Sequence, residues 1–330
     1  MKHLLFLAAH RRLPQLLPQL LPQFLPRLLM LSLATISAGC SATNSSNAGD
    51  HTTARLADAT VTIYAAGDIA ECHNVAAKES MAARTADLIA AALADDRTAV
   101  ALTLGDNAYP NGSATDYENC YDPTWGRFKQ RTLPSPGNHE YHTPAATAYY
   151  EYFGALAGPP HRGYYSAAVG TWHVISLNSN LIGDDQKAQL DWLKADLAAH
   201  RGGCKLAFWH HPVYSSGSHG NNGVMRDAWR LLAAAGTDLV LSGHDHDYER
   251  FAPQDVDGNI DIEHGIRQFV VGGGGAGLTK MRSRRAHSET VDNLSHGVIK
   301  LQLLPASYVW NYLAVGDSAQ ADRGSADCHR

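Results

Sequence analysis

Basic residues do not predominate in this chain of 330 residues: 27 Lys and Arg stand against 32 Asp and Glu, a formal charge of −5. Sequence-independent binding of nucleic acid needs a positive surface, so no nucleic-acid partner is expected. Cysteine is scarce, at five, which excludes a small scaffold built on disulfides. Long apolar runs are missing too. The stretch LLMLSLATISA after Arg27 falls short of the roughly 20 residues that cross a bilayer as a helix. The repeat before it, LPQL-LPQL-LPQF-LPRL, carries Pro14, Pro18, Pro22 and Pro26, each of which removes a helical hydrogen bond. No acidic residue precedes Asp50. What the chain does have is 45% apolar residues, enough for a substantial core and too many for a disordered protein, and 18 histidines.

The N-terminal basic residues Lys2, Arg11, Arg12 and Arg27, the short apolar core and the small residues after it describe a secretory signal over residues 1–39. Its end, Ser37-Ala38-Gly39-Cys40, resembles a bacterial lipoprotein signal, in which the cysteine is lipidated. Residues 40–58, rich in Ser, Asn and Thr, suit a flexible linker. The mature protein is therefore expected outside the cytoplasm, either secreted or periplasmic and membrane-anchored, with membrane contact only through the lipid on Cys40. Cys72, Cys120, Cys204 and Cys328 remain. In an oxidising compartment four cysteines allow three pairings. Cys72–Cys120 with Cys204–Cys328 is preferred, and buried thiols are the alternative.

Apolar, β-rich runs at 61–66, 99–104, 205–209 and 238–242 predict buried strands. Helical periodicity spans 78–94, 184–200 and 224–235, with a shorter candidate at 125–130, and Tyr149, Tyr150, Tyr152 and Phe153 fit helix packing. Further strands are expected at 164–169, 172–177, 268–272, 297–303 and 307–313, while the rest of 107–135 reads as irregular. Alternating early elements and late hairpins predict one α/β catalytic domain over 59–316, with two packed sheets flanked by helices, and a polar tail over 317–330.

The chemistry clusters at the strand ends. Gly67-Asp68 follows the first strand, and Gly105-Asp106-Asn107-Ala108-Tyr109 the second. Further on come Gly137-Asn138-His139-Glu140, then His210-His211-Pro212, then Gly243-His244-Asp245-His246. Ligands of α/β sheets bind beyond the carboxyl ends of strands, so these five tips should meet in one crevice. A mixture of carboxylate, amide, phenol and imidazole suits transition metals rather than calcium. There are too many donors for one ion, whereas two ions bridged by a carboxylate would use them all. The glycines at 67, 105, 137 and 243 fit sharp turns that aim the next residue inward. Gly272–Gly275 lacks the Lys-Ser/Thr of a phosphate loop and reads as a flexible turn at the rim. The basic run 280–285, KMRSRR, reads as solvated surface, or else as a guide for anionic substrates.

In order and spacing these motifs resemble the calcineurin-like metallophosphoesterases, and Tyr109 marks the purple acid phosphatase branch. The resemblance covers residues 60–316. It implies a four-layer α/β/β/α sandwich of two mixed sheets. It also implies two metal ions: Fe3+ held by Asp68, Asp106, Tyr109 and His246, and Fe2+, Zn2+ or Mn2+ held by Asp106, Asn138, His210 and His244, with Asp106 shared. His139 and His219 match residues beside the substrate phosphate, and His211 falls at the rim. The implied activity is that of a metal-dependent phosphoric ester hydrolase of the acid phosphatase type. A hydroxide activated by the metals would attack the phosphorus of a small phosphate monoester. A phosphodiesterase using the same site and a non-catalytic surface lipoprotein are the alternatives. Ala70 stands where purple phosphatases usually carry glycine, and the Cys72 loop is not part of the family pattern.

Overall fold

The computed structural model describes residues 60–316 and 322–329. The expected signal, Cys40 and the linker lie outside the described residues. The strand β1 (Val61–Ala66) is buried along its whole length, as a strand covered on both faces must be. It runs parallel to β2 (Val100–Leu104), which runs parallel to β3 (Thr132–Ser135). The crossover from β1 to β2 is α1 (Met81–Asp95), whose start is capped by the Ser80 side chain accepting from the Ala83 amide at 3.2 Å. Its apolar stripe, Ala82, Ala86, Ile89 and Leu93, is buried. On the other side of β1 lie the antiparallel strands β11 (Gly297–Leu303), β12 (Ser307–Ala314) and β13 (Arg323–Asp327). The first sheet therefore has the order β13-β12-β11-β1-β2-β3.

The second sheet has seven strands. A parallel group, β5 (Trp172–Ser176), β6 (Lys205–Phe208), β7 (Leu239–Ser242) and β9 (Arg267–Val271), is flanked by antiparallel β4 (Tyr165–Val169), β8 (Tyr248–Phe251) and β10 (Ser288–Asp292). A shorter helix, α2 (Thr147–Phe153), precedes this sheet, and α3 (Gly183–Ala199) and α4 (Arg226–Ala234) connect its parallel strands. Side chains alternate across a strand, and the sorting is visible here. Val174, Leu206, Phe208, Leu241 and Phe269 join the core shared with the first sheet. Their neighbours Ile175, Ala207, Val240 and Val270 join a second core with Leu193 and Leu197 of α3 and Trp229 and Leu232 of α4. Two mixed sheets with helices on their outer faces are the expected α/β sandwich. Fully burying one such aliphatic side chain is worth roughly 1.5–3 kcal/mol.

Two expectations are corrected. Residues 107–135 are not irregular throughout, because Thr132–Ser135 pairs as the edge strand β3. The end of the chain is not simply a polar tail, because β13 adds an edge strand to the first sheet. Both ends of that strand are fixed. Asp322 accepts hydrogen bonds from Tyr248 at 2.6 Å and Arg250 at 2.8 Å, and Cys328 is bonded to Cys204. The other disulfide joins Cys72 to Cys120. Among the described residues no helix is long and apolar enough to cross a membrane.

Candidate metal centre

The C-terminal ends of β1, β2 and β3 in one sheet and of β6 and β7 in the other open onto the same place. Asp68 and Asp106 follow β1 and β2 directly, and both lie in the left-handed region, with φ of 58° and 47°; His244, after β7, has φ of 72°. Such conformations cost energy for residues other than glycine and persist where the surroundings impose them. The surroundings are hydrogen bonds. The His244 amide donates to Asp68 Oδ2 at 2.8 Å, and the His139 amide donates to Asp106 Oδ1 at 2.8 Å. One oxygen of each carboxylate is thus held by backbone, leaving the other to face the centre.

Those free oxygens meet the remaining donors. Tyr109 Oη lies 3.1 Å from both Asp68 Oδ1 and Asp106 Oδ2, and 3.2 Å from His246 Nε2. Across Asp106 Oδ2, at 3.2 Å, is His210 Nε2, which is also 3.0 Å from Asn138 Oδ1 and 3.1 Å from His244 Nδ1. Asp68, Asp106, Tyr109, Asn138, His210, His244 and His246 therefore form one continuous constellation with Asp106 Oδ2 at its middle.

The ring tautomers expose a shortage of protons. His210 Nδ1 donates to the Leu104 carbonyl at 2.9 Å, and His246 Nδ1 donates to the Gly277 carbonyl at 2.7 Å. In the neutral rings each Nε2 is then a bare lone pair. His210 Nε2 faces two oxygen acceptors, and one phenolic proton cannot serve both carboxylates and His246. Only added positive charge relieves this arrangement. The titration directions agree. Burial disfavours protonated His210 and His246, yet the carboxylates of Asp106 and Asp68 outweigh it and raise each to about 9. Burial also disfavours the charged form of Asp106, but His210 and His139 hold its pKa below the usual carboxylate range. Burial, then Asp68 and Asp106, drive the Tyr109 phenol far up, so a phenolate there requires a cation. The donor set of carboxylates, imidazoles, an amide oxygen and a phenol fits a pair of transition-metal ions.

The two histidines expected beside a substrate are at the same opening. The His139 ring lies 4.3 Å from the Tyr109 ring, tilted at 47°, with Nδ1 donating to the Pro110 carbonyl at 2.6 Å and Nε2 3.8 Å from Asp106 Oδ2. His219 is exposed, its ring 4.3 Å from that of His244. His211 lies further in than a rim residue would. Its ring sits 4.4 Å from His244, and Nδ1 pairs with the Ser179 hydroxyl at 2.8 Å. Burial, then His210, lower it to about 3, so it stays neutral.

Two carboxylates, Glu140 and Asp245, to which the sequence motifs gave no separate role, hold the frame. Glu140 is fully buried and accepts from the amides of Asn107 at 2.9 Å, Ala108 at 3.3 Å and Gly137 at 2.7 Å. It ties the Asp106 loop to the Asn138 loop. Asp245, between the two histidines after β7, accepts from the amides of His219 at 2.7 Å and Gly220 at 3.0 Å and so positions His219. The only signal for either in the sequence is an acid inside an otherwise ligand-bearing motif. The run Gly272–Gly275 is also not the flexible rim turn expected. It is buried, and a Cβ on Gly272 would stand 2.1 Å from the Asp245 carbonyl oxygen and 2.8 Å from Asp68 Oδ2. Bare backbone is needed there so that the two sheets can close around the site.

A two-sheet α/β sandwich with this donor set at its strand ends is suited to holding a pair of metal ions. Residues 61–248 match the family model for the calcineurin-like phosphoesterases, and the chain belongs to that family. It is 31% identical over 186 residues to purple acid phosphatase 15 of Arabidopsis thaliana, covering 45% of this chain and 35% of that one. It is 38% identical over 85 residues to human tartrate-resistant acid phosphatase type 5, 26% of each. The chain thus spans about a third or less of the length of these curated relatives. The solved purple acid phosphatase PPD1 from yellow lupin (Lupinus luteus) seeds superimposes with a TM-score of 0.68 at 18% identity, over 81% of this chain and 54% of that one. It shares the fold.

Proposed function

We propose that this chain hydrolyses small phosphate monoesters outside the cytoplasm. The observation that carries the reading is the position of Asp106 Oδ2, in contact with Tyr109 on one side and His210 on the other. A first ion, Fe3+, would be held by Asp68, Asp106, Tyr109 and His246. A second, Fe2+, Zn2+ or Mn2+, would be held by Asp106, Asn138, His210 and His244. When bound, such ions neutralise phosphate charge and bring the pKa of a water toward neutrality. The phenol supports the ferric choice, since a deprotonated Tyr109 beside two carboxylates needs a high positive charge. The two disulfides support a site of action outside the cytoplasm.

The protein's own groups supply the rest. His139, with its Nδ1 proton committed to Pro110, presents Nε2 toward the substrate phosphate and, when protonated, steadies developing negative charge. His219, exposed beside His244, is placed to protonate the leaving alkoxide. One substrate panel tests both points. Wild-type protein should turn over p-nitrophenyl phosphate in clear preference to bis-p-nitrophenyl phosphate. His219→Ala should lose about 10²–10³-fold with poor leaving groups and much less with p-nitrophenol. A preference for the diester would replace the monoester reading, and equal losses for all leaving groups would remove the acid role of His219.

A further inference from the structure

We infer that residues 280–285 form a subsite at the mouth of the metal centre for a second phosphate of the substrate. The preferred substrate class would then be small molecules carrying two neighbouring phosphates. This rests on the phosphatase reading above. The segment leaves the centre itself: the Gly277 carbonyl accepts from His246 Nδ1, and the Thr279 amide donates to the His246 carbonyl at 3.2 Å. It then crosses to the loop that carries His219. The Arg282 amide donates to the Ser216 carbonyl at 3.1 Å, and the Arg285 amide donates to Ser216 Oγ at 2.8 Å. Arg285 Nε donates to the Ser215 carbonyl at 3.1 Å, and its guanidinium lies beside Gly220. The backbone of the segment is therefore pinned at one end to a donor of the centre and at the other to the loop of the proposed general acid.

Its charge is uncompensated. Lys280, Arg282, Arg284 and Arg285 are all exposed, and among the described residues none forms an ion pair, whereas Arg250 and Arg267 nearby in the second sheet both pair with Glu289. The acids under the segment are turned away from it. Asp245 and Glu249 are buried and take hydrogen bonds from Ser215, Ser216 and the His219 amide. Glu71 reaches the segment only at the Gly277 amide, 2.8 Å away. Four cations against so little acid, at the edge of a site for phosphate and in a chain of formal charge −5, form a local positive field suited to a second dianion.

The side chains of Lys280 and Arg282 make no internal hydrogen bond among the described residues, so Lys280→Ala/Arg282→Ala removes charge and leaves the backbone anchors. In low salt the double variant should lose about tenfold in kcat/KM for inorganic pyrophosphate and less than about twofold for p-nitrophenyl phosphate. Calorimetry with methylenediphosphonate, which is not hydrolysed, should show the same loss of binding relative to inorganic phosphate, and 0.5 M salt, roughly a 4 Å screening length, should erase the difference. A wild-type protein that hydrolyses p-nitrophenyl phosphate while the variant leaves the pyrophosphate ratio unmoved would overturn the subsite alone. Equal losses on both substrates would also overturn it, as a structural effect. Hydrolysis of neither substrate by the metal-loaded wild type would overturn the phosphatase reading and the subsite with it.

Discussion

Gly137 has no room for a side chain. A Cβ there would stand 2.1 Å from Asp106 Oδ1 and 2.2 Å from the Asp106 amide, so Gly137→Ala must push the Asp106 carboxylate aside. The variant should lose about 2–3 kcal/mol of stability and bind fewer metal ions per chain, as seen by denaturant titration and elemental analysis. Normal metal content would contradict the role given to Asp106. Sequence reading assigned this glycine to a sharp turn; the structure gives close approach as the cause. The candidate donors were legible because each lies in a motif just past a strand end and each is a residue type that binds metals. Glu140 and Asp245 were not, because their partners are backbone amides of distant loops, and no pattern in a single chain announces those. His211 was placed at the rim for want of any signal that Ser179 would hold it inward at 2.8 Å.

At the scale of elements, the most legible strands were the continuous apolar runs, whereas β8, buried but reading Tyr-Glu-Arg-Phe, was missed. β1, β2, β6 and β7 are short apolar runs ending in glycine or a metal-binding side chain. The strands that escaped notice carry weaker patterns. β3 contains Pro134, which belongs to sheet edges, and β13 reads Arg-Gly-Ser-Ala-Asp, with no large apolar side chain. What makes β13 a strand is its tethering by Asp322 and by Cys328 at its two ends. The Cys204–Cys328 bond closes a separation of 124 residues. Cys204→Ser with Cys328→Ser should therefore cost about 5 kcal/mol in the chain-entropy account, lowering the urea midpoint, while activity in buffer persists because no donor of the centre lies on β13. An unchanged midpoint would mean that the edge strand holds without its covalent tether.

Across the whole molecule, the centre joins the sheets. Asp68, Asp106, Tyr109 and Asn138 come from the β1–β3 side, whereas His210, His244 and His246 come from the β6–β7 side, and Asp106 touches both groups. The fold places these acceptors face to face, so that added positive charge, from protons on His210 and His246 or from bound cations, is needed to satisfy them. Calcineurin-like membership makes such ions expected, and the proposed pair would lie on either side of Asp106. The most direct test is anomalous X-ray scattering from crystals of protein purified without chelators. Two metal peaks on opposite sides of Asp106 are predicted, one against Tyr109 and the other against His210. A single peak or none there, in protein that retains full phosphatase activity, would contradict the account.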